Sequence, residues 1–190
     1  VCSDYTIGFD TACNTAVDAI DKLRDTMQSH ERCSVVEVMG RRAGHLALHV
    51  GVAVGATAIL LPEREVDFES TVIEKMRMGR IKGRNHHIII VAEGYGSAQD
   101  VADRIHEQTG IDTRVTILGH IQRGGSPSTQ DRVMGTRMGY HAVKILIEGK
   151  TNRVVVFDDN MITDYDIEEG LARKKDINQA LFEAAQMVAT

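Results

Sequence analysis

Three short apolar segments of this 190-residue chain each run into a glycine that stands beside a polar side chain. The residues concerned are Met39-Gly40-Arg41 after the first segment, Glu93-Gly94 after the second, and Gly119-His120 with Arg123 after the third. Glycine lets a ligand approach the backbone closely, and the planar fork of arginine matches the oxygens of a phosphate. A carboxylate accepts hydrogen bonds from sugar hydroxyls. These residue types therefore predict a site for a polar, anionic small molecule.

Each motif taken alone also has an ordinary structural interpretation. Arg41 fits a solvated side chain in a turn between strand and helix, Glu93 a surface residue that starts a loop, and His120 a hydrogen-bonded structural histidine. The combination of His120, Arg123 and the two following glycines favours contact with a phosphate or a hydroxyl.

Hydrophobic periodicity predicts the elements that must position these residues. Helices are predicted over residues 11–28, 43–54, 68–81, 98–108 and 128–148, and strands over residues 33–39, 58–61, 88–91, 113–118 and 153–157. A polar turn, a short helix over residues 166–173 and a final helix over residues 177–188 complete the chain. Because helix and strand alternate, the predicted fold is α/β, a parallel sheet with helices on both faces. Such sheets bind ligands at the carboxyl ends of their strands.

Composition argues against several classes of function. The chain is 43% hydrophobic and 26% charged, which is typical of a globular α/β protein. It has no Trp, four Phe and a net charge of −5, so neither a nucleic-acid platform nor a membrane partner is expected. Cys2, Cys13 and Cys33 lack the spacing of a zinc site or a disulfide framework, which fits a cytoplasmic location. Val1 stands in place of an initiator Met, so we expect a fragment.

Other charged residues have a different position along the predicted strands. Arg32 precedes one strand and Arg114 starts another, so both belong to the amino-terminal side of the sheet. They are either surface charges or groups that serve a pocket on a neighbouring subunit. Lys82 and Arg84 follow the third helix, where cations stabilise the helix dipole. The chain contains no serine elbow, metal triad or Walker loop.

Five separated motifs closely resemble the phosphofructokinase family in its bacterial form. They are Ile-Gly-Phe-Asp-Thr-Ala at residues 7–12, Ser-His-Glu-Arg at 29–32, Val-Met-Gly-Arg at 38–41, Ile-Val-Ala-Glu-Gly at 90–94, and Leu-Gly-His-Ile-Gln-Arg-Gly-Gly-Ser-Pro at 118–127. The resemblance covers essentially the whole chain, in order. It implies the carboxy-terminal portion of a 6-phosphofructokinase, without the amino-terminal nucleotide-binding half. The implied reaction transfers a phosphoryl group from ATP to the 1-hydroxyl of fructose 6-phosphate in glycolysis.

The resemblance also implies roles for individual residues. The sugar-phosphate contacts from one subunit would be Met39, Gly40, Arg41, Glu93, His120 and Arg123. Arg41 would in addition be catalytic, because it would face the transferring phosphoryl group. Arg32 and Arg114 would reach the 6-phosphate from the adjacent subunit of a homotetramer.

An allosteric effector pocket between subunits is implied as well. Its basic residues would be Arg24, Lys82 and Arg84. Thr57 stands where the regulated members carry a glutamate that helps bind the magnesium of the effector, and Val54 replaces a nearby glycine. We therefore expect no conventional effector control.

The implied domains are a Rossmann-like substrate domain, residues 9–127 with 176–190, and a returning segment of the nucleotide-binding domain, residues 128–175. The catalytic base and the sites for ATP and Mg²⁺ would lie upstream of Val1, so the isolated chain is expected to lack phosphoryl transfer. Two alternatives stay open. One is a diphosphate-dependent phosphofructokinase, since the residues that select the donor would also lie upstream, and the other is a non-catalytic sugar-phosphate-binding or regulatory subunit.

Overall fold

A computed structural model describes residues 2–27 and 32–188. The strands are β1 (Arg32–Val38), β2 (Ala58–Leu60), β3 (His86–Ala92), β4 (Asp112–Ile117), β5 (Arg153–Asp158) and β6 (Met161–Asp166). The α-helices are α1 (Phe9–Met27), α2 (His45–Ala53), α3 (Glu74–Ile81), α4 (Ala98–Thr109), α5 (Thr129–Ile147), α6 (Ile167–Ala172) and α7 (Gln179–Val188). The first three residues of the predicted Ser-His-Glu-Arg motif lie outside the described residues.

The chain forms two compact units. The larger unit comprises residues 12–124 and 177–190, and the smaller unit comprises residues 1–11 and 125–176. The substrate and nucleotide roles of the two predicted domains stay predictions.

The larger unit is built on a four-stranded parallel sheet in the order β2-β3-β1-β4. Alternate residues of its strands enter two separate cores. Val36, Val38 and Ile90 pack on one face with residues of α1, α2 and α7. Val35 and Ile89 pack on the other face with residues of α3 and α4. β-branched side chains favour strands, and alternate residues of a strand point to opposite faces of the sheet. The parallel sheet with helices packed on both faces confirms the predicted α/β fold.

The ends of the helices follow the chemistry of their first and last residues. The Ser97 hydroxyl caps α4 by accepting a hydrogen bond from the Asp100 amide at 3.2 Å. The same helix ends at Gly110, whose φ of 70° is the left-handed conformation that glycine adopts without strain. Residues 68–81 were predicted as one helix, but a short π-helix (Glu69–Ile73) precedes α3.

The smaller unit contains α5, α6 and an antiparallel hairpin of β5 with β6. The predicted polar turn is present but short, because residues 161–166, which were not predicted as a strand, form β6. Asp159 and Asn160 form the hairpin turn with φ values of 46° and 62°. Short polar side chains tolerate this left-handed conformation, and two such residues form the turn that matches the twist of paired strands.

Asp131, near the start of α5, organises the smaller unit. Its side chain is 2% exposed and accepts hydrogen bonds from the Gly8 amide at 2.8 Å and the Thr11 amide at 2.9 Å. The hydroxyls of Tyr5 and Thr11 donate to the same carboxylate. Burial alone would raise the pKa of Asp131, but these hydrogen bonds lower it to about 2. Asp131 therefore holds the segment before α1 as an ionised, fully hydrogen-bonded acceptor.

None of the helices in residues 2–27 and 32–188 combines the length and the apolar character that crossing a membrane would require.

Candidate functional site

The three strand ends singled out in the sequence lie side by side. Strand β1 is hydrogen-bonded to β3 on one side and to β4 on the other, and all three run parallel. Val38 is in register with Ala92, and Glu37 is in register with Ile117. The arginine turn (residues 39–41), Glu93 and the 3₁₀ turn (Gly119–Arg123) therefore follow neighbouring strands at one edge of the sheet.

The arginine turn has a backbone that only certain residues allow. Arg41 is in the left-handed region with a φ of 53°. A Cβ atom on Gly40 would lie 2.2 Å from the Ala43 carbonyl oxygen, and one on Gly94 would lie 2.2 Å from the Arg41 carbonyl oxygen. Gly40 is required because the chain after β1 turns back tightly so that Ala43 lies against it, and Gly94 is required because the chain after β3 passes directly against the chain after β1. This close approach fixes where the Arg41 side chain leaves the sheet edge.

Glu93 stabilises the arginine turn through its backbone. Its Oε2 atom accepts hydrogen bonds from the Gly40 amide at 3.1 Å and the Arg41 amide at 2.9 Å. These hydrogen bonds are the main cause that lowers the pKa of Glu93; burial opposes them, and the charges of Arg41 and Arg123 lower the pKa further. Glu93 is therefore an ionised group with a structural task in this turn. Its contact with a sugar hydroxyl stays a prediction.

His120 and Arg123 are exposed residues of the 3₁₀ turn, which starts at Gly119 with a φ of 53°. The guanidinium of Arg123 lies close enough to Glu93 to lower its pKa. The edge therefore gathers two arginines, an imidazole and a carboxylate, as predicted from their positions after parallel strands. This charge pattern suits a polar ligand that carries a phosphate.

Gln122 is a residue of this edge that the sequence reasoning missed. It is 2% exposed, and its Oε1 atom accepts a hydrogen bond from the Met39 amide at 2.8 Å. The sequence carries no signal for this burial, because glutamine side chains are usually exposed.

Arg32 and Arg114 lie at the opposite end of the strands, as predicted. Arg32 is in register with Asp112, and Ser34 is in register with Arg114. The Asp112 Oδ2 atom lies 3.3 Å from Arg32 Nε and 3.1 Å from Arg114 Nη2. The structure thus brings these two arginines together around one carboxylate. They are separated from the arginine turn by the length of β1, about 20 Å for seven residues.

Two of the three predicted effector residues line one cavity of about 210 Å³. Arg24 and Arg84 are in its wall together with Val54, Gly55, Thr57, His86 and Ile88. Lys82, which follows α3, is not part of this wall. The Thr57 hydroxyl lies 3.2 Å from Nδ1 of the buried His87, and burial, with the nearby charges of Arg84 and His86, lowers the pKa of His87 to about 4. The cavity wall therefore carries the positive charges of Arg24 and Arg84 and has no acidic side chain among its lining residues.

A magnesium site is not evident in this part of the protein. Across residues 2–27 and 32–188, no three His, Cys, Asp or Glu side chains are grouped so that they could hold a metal ion. The described residues therefore do not fit a dedicated magnesium cage, although carboxylates are the usual magnesium ligands in proteins.

Comparisons with known proteins agree with this geometry. Residues 1–146 match the sequence profile of the family described as Phosphofructokinase. The ATP-dependent 6-phosphofructokinases of Bacillus thuringiensis (strain Al Hakam) and Bacillus cereus (strain AH187) are 54% identical to the chain over 184 residues, which is 97% of this chain. The chain spans 57% of the length of these relatives.

Solved structures give the same result. The phosphofructokinase of Saccharomyces cerevisiae superimposes with a TM-score of 0.85 at 33% identity, over 98% of this chain and 26% of that chain. A pyrophosphate-dependent phosphofructokinase from Marinobacter aquaeolei superimposes with a TM-score of 0.71 over 97% of this chain and 54% of its own, but at 19% identity it shows the fold alone. The family profile covers more than half of the chain, and the chain therefore belongs to the phosphofructokinase family.

Proposed function

We propose that the full-length protein containing this chain is an ATP-dependent 6-phosphofructokinase of glycolysis. It transfers the terminal phosphoryl group of ATP to the 1-hydroxyl of fructose 6-phosphate, and this chain supplies the sugar-phosphate site. The observation that carries the proposal is the meeting of three parallel strand ends, which brings Arg41, Glu93, His120 and Arg123 to one sheet edge.

The chemistry of each group suits this substrate. Arg123 and His120 offer hydrogen-bond donors to the sugar phosphate from the 3₁₀ turn, and Met39 and Gly40 lie where the ring would approach the backbone. The backbone of Arg41 is fixed in the left-handed conformation, and its side chain faces the phosphoryl group that is transferred. A fixed positive charge there stabilises the negative charge that develops in the transition state. Glu93 holds the backbone of Arg41 in place and accepts a hydrogen bond from a sugar hydroxyl.

Arg32 and Arg114 complete the site of an adjacent subunit in this proposal. Their position at the amino end of the strands prevents them from reaching the arginine turn of their own subunit. The proposed assembly is a homotetramer in which the two arginines bind the 6-phosphate across a subunit boundary. A phosphate that meets both guanidiniums would compete with the carboxylate of Asp112.

The sites for ATP and Mg²⁺ are assigned to the rest of the full-length protein. This assignment is supported by the lack of a cluster of three metal-ligating side chains within residues 2–27 and 32–188, and by the 57% coverage of the relatives. The 190-residue chain alone is accordingly proposed to be inactive in phosphoryl transfer. A cytoplasmic location is part of the proposal, since Cys2, Cys13 and Cys33 form no disulfide bond with one another.

ATP is the favoured donor because the relatives at 54% identity are ATP-dependent, whereas the likeness to a pyrophosphate-dependent protein is at 19% identity. A non-catalytic regulatory subunit is the second alternative.

The cationic cavity is proposed to bind a phosphate-bearing effector through Arg24 and Arg84, without a metal contribution. Thr57 cannot offer a carboxylate, and its hydroxyl is engaged with His87. In the full-length protein, Thr57→Glu is expected to introduce magnesium dependence of effector binding. Magnesium-dependent activation of the unmodified protein would contradict this part.

The central test is an assay of the purified full-length protein with fructose 6-phosphate and magnesium, using ATP in one series and diphosphate in the other. Turnover with ATP is expected, and Arg123→Met should raise the KM for fructose 6-phosphate at least tenfold. The matched control is Arg77→Met, which removes an exposed arginine paired with Glu69 at 2.8 Å on α3. No turnover with either donor would support the regulatory subunit, and turnover only with diphosphate would support the diphosphate-dependent enzyme.

A further inference from the structure

Gln122 differs from its neighbours in the 3₁₀ turn by its burial. His120, Ile121 and Arg123 are exposed, whereas Gln122 is 2% exposed. Glutamine rarely occupies a fully buried position, because its amide must find partners for both its oxygen and its nitrogen. Its place directly beneath the candidate site therefore calls for a physical reason.

The hydrogen bond of Gln122 joins two separate parts of the site. Its Oε1 atom accepts from the Met39 amide at 2.8 Å. The last backbone bonds of β1 to its neighbours use the carbonyls of Glu37 and Val38, so the amides of residues 39–41 have left the sheet ladder. Gln122 accepts a hydrogen bond from the first of these three amides, and Glu93 accepts hydrogen bonds from the other two. Two side chains, one from each neighbouring strand end, thus hold the arginine turn.

The net contribution of Gln122 to the free energy of unfolding is small. No described residue accepts a hydrogen bond from its Nε2 atom, which is buried. An unpaired buried donor costs about as much free energy as a hydrogen bond gains. A methionine would leave the Met39 amide unpaired but would remove the unpaired Nε2, so the two states are similar in stability. The hydrogen bond from the Met39 amide to Gln122 therefore affects the position of the two turns more than the stability of the fold.

We propose that Gln122 is the positioning residue that keeps the 3₁₀ turn in register with the arginine turn, so that Arg41, His120 and Arg123 meet one substrate molecule together. This inference rests on the proposed function. Gln122 does not touch the substrate, since it is buried, and it acts through the side chains of the two turns that it joins. Small displacements of such groups reduce productive binding strongly.

The test uses the full-length protein with Gln122→Met, which keeps the length of the side chain and removes the acceptor. The KM for fructose 6-phosphate, and its Kd measured by equilibrium dialysis, are expected to rise about tenfold, with the KM for ATP unchanged. The urea midpoint should shift no more than in the control Asn178→Ala, which removes the hydrogen bond from the Leu181 amide to Asn178 Oδ1 at 2.9 Å. The control should keep the KM for both substrates.

A double-mutant cycle separates positioning from a general structural effect. In an Arg123→Met background, Gln122→Met should raise the KM by a smaller factor than it does in the unmodified protein, because one of the three groups that it positions is already gone. Full additivity would overturn the inference. So would a wild-type Kd for fructose 6-phosphate in Gln122→Met, or a variant that fails to fold, since either result makes Gln122 an ordinary packing residue.

A second variant, Gln122→Asn, keeps the amide but is one methylene too short to reach Met39. It should raise the KM as Gln122→Met does, and unchanged affinity would contradict the role of this bond. Failure of the proposed function itself would be visible separately, as no phosphorylation or binding of fructose 6-phosphate by the unmodified protein.

Discussion

Replacing Asp131 by asparagine is expected to destabilise the smaller unit strongly. The carboxylate accepts hydrogen bonds from two backbone amides and two hydroxyls and is 2% exposed. Its pKa falls from 3.8 to about 2 on folding, and each unit is equivalent to about 1.4 kcal/mol, so the charge contributes about 2 kcal/mol. The introduced side-chain amide would in addition turn its NH₂ group towards donors, which leaves a buried group unpaired at about 1 to 3 kcal/mol. We expect a loss of about 4 kcal/mol in the free energy of unfolding, the sum of these two effects.

The assay is urea unfolding of the full-length protein at pH 7, followed by circular dichroism at a fixed protein concentration. The matched control is Ser128→Ala, which removes the cap of α5, a bond of 3.2 Å from the Asp131 amide to Ser128 Oγ. That change is expected to cost about 1 kcal/mol. If Asp131→Asn cost no more than Ser128→Ala, the view of Asp131 as an ionised anchor would be refuted.

The same carboxylate gives a pH signature. Its folded pKa lies below its unfolded pKa, so the stabilisation is present above about pH 4 and is lost as the pH falls towards 2. The unmodified protein should lose about 2 kcal/mol more than Asp131→Asn over this range.

Two further predictions concern residues at the amino-terminal end of the parallel strands. His87 is neutral in the folded protein at pH 7, because its pKa is about 4 when folded and 6.5 when unfolded. Its contribution to the free energy of unfolding is therefore complete above pH 6.5, and up to about 3 kcal/mol of stability is lost as the pH falls to 4. His87→Leu should flatten the pH dependence of the urea midpoint between these values, and an unchanged slope would contradict the assignment. Asp112→Ala frees Arg32 and Arg114 from an exposed ion pair, so stability should change by less than about 1 kcal/mol while the KM for fructose 6-phosphate falls about threefold at low salt and not at high salt. A higher KM would mean that Asp112 orients the arginines.

Much of the fold could be predicted because its signals are local. Strands β1 and β3 are rich in β-branched residues that are buried on both faces of the sheet, and helices α1 and α4 each bury one apolar stripe. Strand β6 was missed because three of its six residues, Thr163, Asp164 and Asp166, are polar, which is the pattern of a loop. Tertiary contacts explain it, since Asp164 accepts a hydrogen bond from Arg153 Nε at 2.6 Å, and His141 Nε2 lies 3.0 Å from the same carboxylate.

The candidate site could also be predicted only in part from the sequence. Positions after parallel strands bring Arg41, Glu93 and Arg123 to one edge, so this part could be predicted from topology alone. Gln122 could not, because its burial depends on the path of a five-residue 3₁₀ turn. The family resemblance placed Arg24, Lys82 and Arg84 together in the effector pocket; Arg24 and Arg84 line one cavity of this chain, and the role of Lys82 stays a prediction.

Strand β4 lies at the edge of the large sheet, and this position gives its charged residues a second effect. An edge strand offers unpaired backbone groups to other chains, and exposed Ile117 adds an apolar surface there. Asp112 and Arg114 lie on this strand and are largely exposed, so they oppose the addition of a foreign strand. Neutralising both would therefore be expected to promote aggregation as well as to alter phosphate binding.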